Sequence, residues 1–474
     1  MNRRKGPVHD AIARVLTCMA LGSMLGGCGS YAPSRAAATA TGLVSHQLCS
    51  AVFVSGLDPE EFYREAIEPM LSPAGFLFSH TVDREHAQVT ARVAGVAESR
   101  AVYRAALGCV LAPGELPAPV RTAGANPAAS LLPAIAPREV VETDNFRLKS
   151  ALDRAFAEPG SAPHRWTKAV VIVHQDHVLA ERYAPGFGVD TPLAGWSATK
   201  SVTNALLGIL VQQGRLKMDE PAPIAAWAGV ADPRHAITPD HLLRMTSGLD
   251  IGQSLTSGPL SMFDPSGQML FVEPDMAAFA ERAAVNAAPG ERWNYTDANF
   301  LLLSRIVRDQ AGGDAASLHA FMHRELFDRL GMEHVTMELD ASGTAIGSSH
   351  MLASARDWAR LGMLYLNDGI VGGVRVLPQG WVDHSATQTR GSEMFGYGAG
   401  FWTNRGQGAA ASWRVSNGMP ADSFMALGNF GQYVVIIPSK RLVIVRLGNS
   451  HLPRGDMQMM ARLVADVVAA AGDR

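Results

Sequence analysis

The stretch Gly195-Trp196-Ser197-Ala198-Thr199-Lys200, with the apolar run behind it to Gly214, constrains this chain more than anything else in its 474 residues. Val202, Ala205, Leu206, Ile209 and Leu210 recur at the helical spacing, and Gly214 stands where a helix ends. The pattern predicts one helix from Ser197 onward, with Lys200 on the same face as Ser197. A serine hydroxyl is a weak nucleophile until a base takes its proton. A lysine held over it in a dry pocket has its ammonium form disfavoured and can be that base. Free N–H groups at a helix start would also favour a nearby oxyanion. The same tetrapeptide can be a plain helix start with a solvated lysine. Against that, the chain has only six lysines, and Lys200 alone has a serine three residues before it.

Downstream, Ile237-Thr238-Pro239-Asp240-His241-Leu242-Leu243-Arg244-Met245-Thr246-Ser247-Gly248-Leu249 and Pro289-Gly290-Glu291-Arg292-Trp293-Asn294-Tyr295-Thr296-Asp297 follow in order. Together with Ser197-x-x-Lys200 these resemble the motifs of the serine β-lactamase and penicillin-binding-protein superfamily. The likeness spans about residues 146 to 470 and is strongest to its 6-aminohexanoate-dimer hydrolase and class-C-like esterase branch. It implies a β-lactamase/transpeptidase-like fold, with Tyr295 relaying a proton to the leaving group. Asp297 stands where the motif has asparagine, which bears on the polar contacts there and on the substrate's charge. The superfamily's third element, Lys or His-Thr-Gly, aligns with Ala426-Leu427-Gly428. The missing cation argues against β-lactam or D,D-peptide substrates. The resemblance puts the backbone N–H of Asn429, with that of Ser197, in an oxyanion hole, and Gly428 and Asp297 near the substrate; Trp402, an aromatic in the Gly-rich stretch 395–402, lines the cleft or packs.

Hydrophobic content of 47%, charged content of 18% and a net charge of −3 describe a globular chain with no bias towards nucleic acid or an anionic membrane. Arg3, Arg4, Lys5 and the apolar run 15–25 read as an export signal over 1–28. It ends in Leu25-Gly26-Gly27-Cys28, similar to a lipobox with Cys28 lipidated, so a periplasmic lipoprotein is expected; ordinary cleavage is the alternative. No other stretch reads as membrane-spanning. Cys49 and Cys109 remain in the mature chain, either as a disulfide or as two buried thiols.

Residues 29–43, rich in Ala, Ser and Thr, read as a tether; 44–111 as a small α/β extension; 112–140 as a Pro/Ala-rich linker; and 141–474 as the main domain. In the extension a helix starts at Asp58, and strands are expected over 87–94 and 101–110. Early and late hairpins (169–183 and 431–447) with flanking helices predict an α+β fold. It has an antiparallel sheet flanked by helices and a helical subdomain inserted between the hairpins. His174 and His177 flank a hairpin turn and have no further ligands at metal spacing, so no metal or other cofactor is expected.

The chemistry expected is acyl transfer from a small ester or amide substrate, with Ser197 as nucleophile and Lys200 as base. A cell-wall binder or sensor that acylates without turnover, or a D,D-peptidase or β-lactamase, is the alternative. An α/β-hydrolase elbow is excluded, because Gly195-Trp196-Ser197-Ala198-Thr199 lacks the final glycine.

Overall fold

From Pro33 on, the expected tether is instead a packed helix. The structure, a computed structural model, describes residues 33–93, 95–112, 114, 122, 124, 126–255 and 259–471. The expected signal segment, 1–28, with Cys28, lies outside them. Helix α1 (Pro33–Cys49) runs on through a widened turn, Ser50–Val54. Its small residues pass for a linker in the sequence, but here they permit close packing. Ala36, Ala40, Leu43 and Val44 are buried, and a Cβ on Gly42 would lie 2.0 Å from the Phe271 carbonyl oxygen. Ser34–Val54, with mean hydropathy 1.3, is long and apolar enough to cross a membrane, contrary to expectation. With 78% of its window buried in the molecule, it is a core helix.

Helix α1 packs on a four-stranded antiparallel sheet, β1 (Phe78–Asp83), β2 (Gln88–Val93), β3 (Ala97–Arg104) and β4 (Gly108–Leu111), in the order β1-β2-β3-β4. The single strand expected over 101–110 is two, because the chain reverses at Ala106 and Gly108, both at positive φ. Cys49 and Cys109 form a disulfide that joins the end of α1 to β4. This N-terminal unit is docked on the rest of the chain through a buried polar cluster. Glu338 Oε1 accepts from Ser50 Oγ and from the Cys109 N–H, both at 2.8 Å. His46 lies 3.6 Å from the other oxygen of Glu338 and edge-on to His350. The proline-rich segment that follows is anchored too: Leu132 and Ile135 are buried, and Val178 N–H donates to the Ile135 carbonyl.

Helix α2 (Phe146–Phe156) leads to the hairpin β5 (Thr167–His174) and β6 (His177–Tyr183). A helical region follows, holding α3 (Thr199–Gln212), α4 (Pro239–Leu243), α5 (Asp297–Ala311) and α6 (Ala355–Leu366). The sheet is completed by β7 (Trp402–Thr403), β8 (Phe424–Gly428), β9 (Gln432–Ile437) and β10 (Leu442–Gly448), before α7 (Met457–Ala471). The strand order is β7-β8-β9-β10-β5-β6, antiparallel throughout. First and last hairpins therefore meet in the middle. β9 and β10 are buried along their whole length, with α6 packed on them and α2 and α7 packed together beside β5. Such runs bury both faces, so their sequence is continuous in Val, Ile and Leu rather than alternating.

Helix α3 is buried on every side from Thr199 to Leu210, not only along one stripe. Its polar residues are each satisfied. Ser201 Oγ donates to the Gly400 carbonyl, Thr203 Oγ1 to that of Gly347, and Asn204 Nδ2 to Ser385 Oγ and the Ala399 carbonyl. Gly214, at φ +68°, takes the left-handed conformation that ends a helix.

Candidate active site

Ser197 does not open α3 directly. It sits in a 3-10 turn, Trp196–Ala198, with Trp196 at φ +48°, a costly conformation for a bulky residue. The turn is wedged on both sides. A Cβ on Gly195 would lie 2.1 Å from the Trp358 ring, and one on Gly428 would lie 2.1 Å from the Gly195 carbonyl oxygen. The end of β8 at Gly428 thus lies against the nucleophile turn. Trp196 and Phe430, on the two turns, stack edge-on at 5.2 Å.

Lys200, the second residue of α3, is 1% exposed. Its Nζ donates to Ser197 Oγ at 3.0 Å, to Asp297 Oδ1 at 2.5 Å and to the Ser348 carbonyl at 2.9 Å. Asp297 is the first residue of α5, behind the N-cap Thr296, where a helix start favours a carboxylate. Its N–H donates to Ser254 Oγ at 2.9 Å, and Ser266 Oγ lies 3.4 Å from Oδ2. Burial opposes the charged form of Lys200, but the Asp297 carboxylate and Tyr295 outweigh it and hold the amine above the usual lysine value.

Tyr295, two residues before Asp297, is brought to the same place by the turn into α5. Its phenol interacts with Ser197 and Lys200, and the Lys200 Nζ lies 4.9 Å from its ring centroid. Burial raises the phenol above its ordinary value. The ring is held by Tyr397 at 5.5 Å, Trp402 at 5.4 Å and Trp293 at 6.3 Å. Trp402 thus packs behind the Tyr295 phenol, largely buried. The sequence motifs led to Ser197, Lys200, Tyr295 and Asp297. Ser254, Ser266 and Ser348 were missed: they lie in loops with no spacing signal, and only tertiary contacts bring them in.

A serine, an ammonium, a phenol and the backbone of a strand end converging under a buried helix are the parts of an acyl-transfer site. Residues 152–469 match the family model described as Beta-lactamase, and the chain belongs to that family of serine hydrolases. Its fold is the β-lactamase/transpeptidase-like one, with antiparallel sheet and flanking helices. Among curated relatives, the 6-aminohexanoate-dimer hydrolase of Paenarthrobacter ureafaciens is 25% identical over 293 residues, covering 60% of this chain and 72% of the relative. Among solved structures, a Bacillus anthracis protein provisionally described as a 6-aminohexanoate-dimer hydrolase superposes with a TM-score of 0.59 at 21% identity, over 74% of this chain and 90% of that one. A penicillin-binding-protein homologue from Caulobacter crescentus does so at 0.54 and 18%, over 70% and 99%.

Proposed function

We propose that this chain hydrolyses a small ester or amide through an acyl-enzyme. Ser197 attacks the carbonyl and Lys200 receives its proton. The N–H groups of Ser197 and Asn429 hold the tetrahedral oxyanion. Tyr295 passes a proton to the leaving group, and water then releases the acyl group. The observation that carries this is the meeting of the Ser197–Lys200 pair, in contact at 3.0 Å, with Tyr295, distant in sequence, whose ring centroid lies 4.9 Å from Lys200 Nζ in a buried crevice. The neutral Ala426-Leu427-Gly428 on the strand beside the serine supports uncharged acyl groups over β-lactams. The disulfide supports export, in keeping with lipidation of Cys28.

The test is turnover of a chromogenic short-chain ester, a short oligoamide and a chromogenic cephalosporin by wild type and Ser197→Ala. Ester or amide turnover that disappears in the folded variant is expected, with fluorophosphonate labelling of Ser197. Activity retained by Ser197→Ala removes the serine from the mechanism. Stable labelling without turnover points instead to a binder that acylates once.

A further inference from the structure

An ammonium carries three N–H donors, and three acceptors surround Lys200: Ser197 Oγ, the Ser348 carbonyl and Asp297 Oδ1. With all three engaged, the nitrogen has no lone pair free for the Ser197 proton. It must first give one up. Of the three acceptors, a hydroxyl and a peptide carbonyl are not bases near neutrality, whereas a carboxylate is. That carboxylate is also the shortest contact, and the pair is shielded from bulk water, with Lys200 1% and Asp297 6% exposed. The motif that residues 289–297 resemble has asparagine here, which can accept a hydrogen bond but cannot hold the proton.

We propose, building on the serine-hydrolase assignment, that Asp297 is the proton store of the site: it keeps Lys200 an ammonium at rest and takes that proton through Oδ1 as Ser197 attacks. In the step, the Ser197 O–H bond breaks as its oxygen bonds to the carbonyl carbon. The released proton goes to Lys200 Nζ, and a proton leaves Nζ for Asp297 Oδ1. The pair gains one proton and with it one positive charge, which balances the negative charge of the oxyanion, and no solvent proton is exchanged. When the intermediate collapses, Tyr295 gives its proton to the leaving group and takes one from Lys200, which recovers its own from Asp297, so the ammonium, carboxylate and phenol are restored. Asp297 is a positioning residue, acting on the reaction only through Lys200.

The other titratable groups facing the pair are Tyr295 from the entry to α5, Asp264 at the start of helix Pro265–Phe271, Tyr397 from the Gly-rich loop, and His350 beyond Ser348. None is a carboxylate in direct contact with Lys200, so replacing Asp297 by asparagine leaves burial far less opposed and lowers the amine's value.

The experiment uses protein carrying 13Cε-lysine, whose six lysines make the Lys200 signal assignable by its loss in Lys200→Arg. In wild type this signal keeps its ammonium position across the titration to pH 10. In Asp297→Asn it titrates at lower pH, and the kcat/KM profile gains an ascending limb. That limb puts the variant about tenfold below wild type at neutrality for each pH unit that it lies above neutral, with recovery on the alkaline side. A Lys200 signal that titrates alike in both proteins overturns the proposal. So does a loss of kcat/KM equal at every pH, which marks Asp297 as merely structural. The lysine signal is read without turnover, so a failed hydrolase assignment shows separately as activity surviving in Ser197→Ala.

Discussion

Gly428→Ala tests the oxyanion arrangement at its tightest point. The added Cβ would lie 2.1 Å from the Gly195 carbonyl oxygen, 3.1 Å from the Trp196 Cβ and 3.2 Å from the Ala198 nitrogen, whereas ordinary contact begins at 3.4 Å. All three are backbone atoms or the first carbon of a side chain, and none can rotate aside. The strand end and the nucleophile turn must therefore part by about 1.3 Å (3.4 less 2.1). An oxyanion donor works at roughly 2.7–3.1 Å, so this opening withdraws the Asn429 N–H to about 4 Å. Losing one such donor costs on the order of 10²–10³ in kcat, about 2.7–4 kcal/mol. The overpacking itself lowers stability by about 1–3 kcal/mol. Steady-state hydrolysis of an activated ester, with thermal unfolding alongside, is the assay. Gly229→Ala, where an added Cβ meets nothing within 4 Å, is the control. A folded Gly428→Ala protein that keeps wild-type kcat would refute the placement of Asn429 in the oxyanion hole.

Removing the disulfide by Cys49→Ser with Cys109→Ser opens a loop of 60 residues, which chain entropy puts at about 4 kcal/mol. Urea unfolding should show the N-terminal unit losing structure first, and an unchanged midpoint would count against its stapling role. At the buried contact between that unit and the rest, burial lifts Glu338 to about 8 and lowers His46 to about 4. The contribution of Glu338 is full below its unfolded value near 4.5 and is lost as pH rises towards 8. That of His46 is lost as pH falls from 6.5 towards 4. Between pH 6.5 and 8 only the carboxyl of this pair acts, so stability falls with pH by up to about 1.4 kcal/mol per unit. Glu338→Gln should flatten that slope in unfolding measured at pH 6.5 and 8; an identical slope places the titration elsewhere.

What the sequence determined by itself was local or periodic. The apolar repeat after Lys200 and the Val/Ile runs of β5, β9 and β10 are written in consecutive residues. So helix, strand and the order of motifs can be read before any coordinates. The family resemblance turned those motifs into a candidate site, and Lys200 and Tyr295, distant in sequence, do lie together, the amine 4.9 Å from the ring centroid. Two things belonged to tertiary structure alone. Residues 33–49 look like a tether because small residues suit a solvated linker and a tightly packed helix equally well; only the partner surface at Phe271 and β3 decides between them. The partner of Lys200 is likewise invisible in a chain where an aspartate at 297 reads as a mere variant of the motif. Packing α5 against α3 sets that carboxylate 2.5 Å from the amine, out of water, where its charge governs the proton.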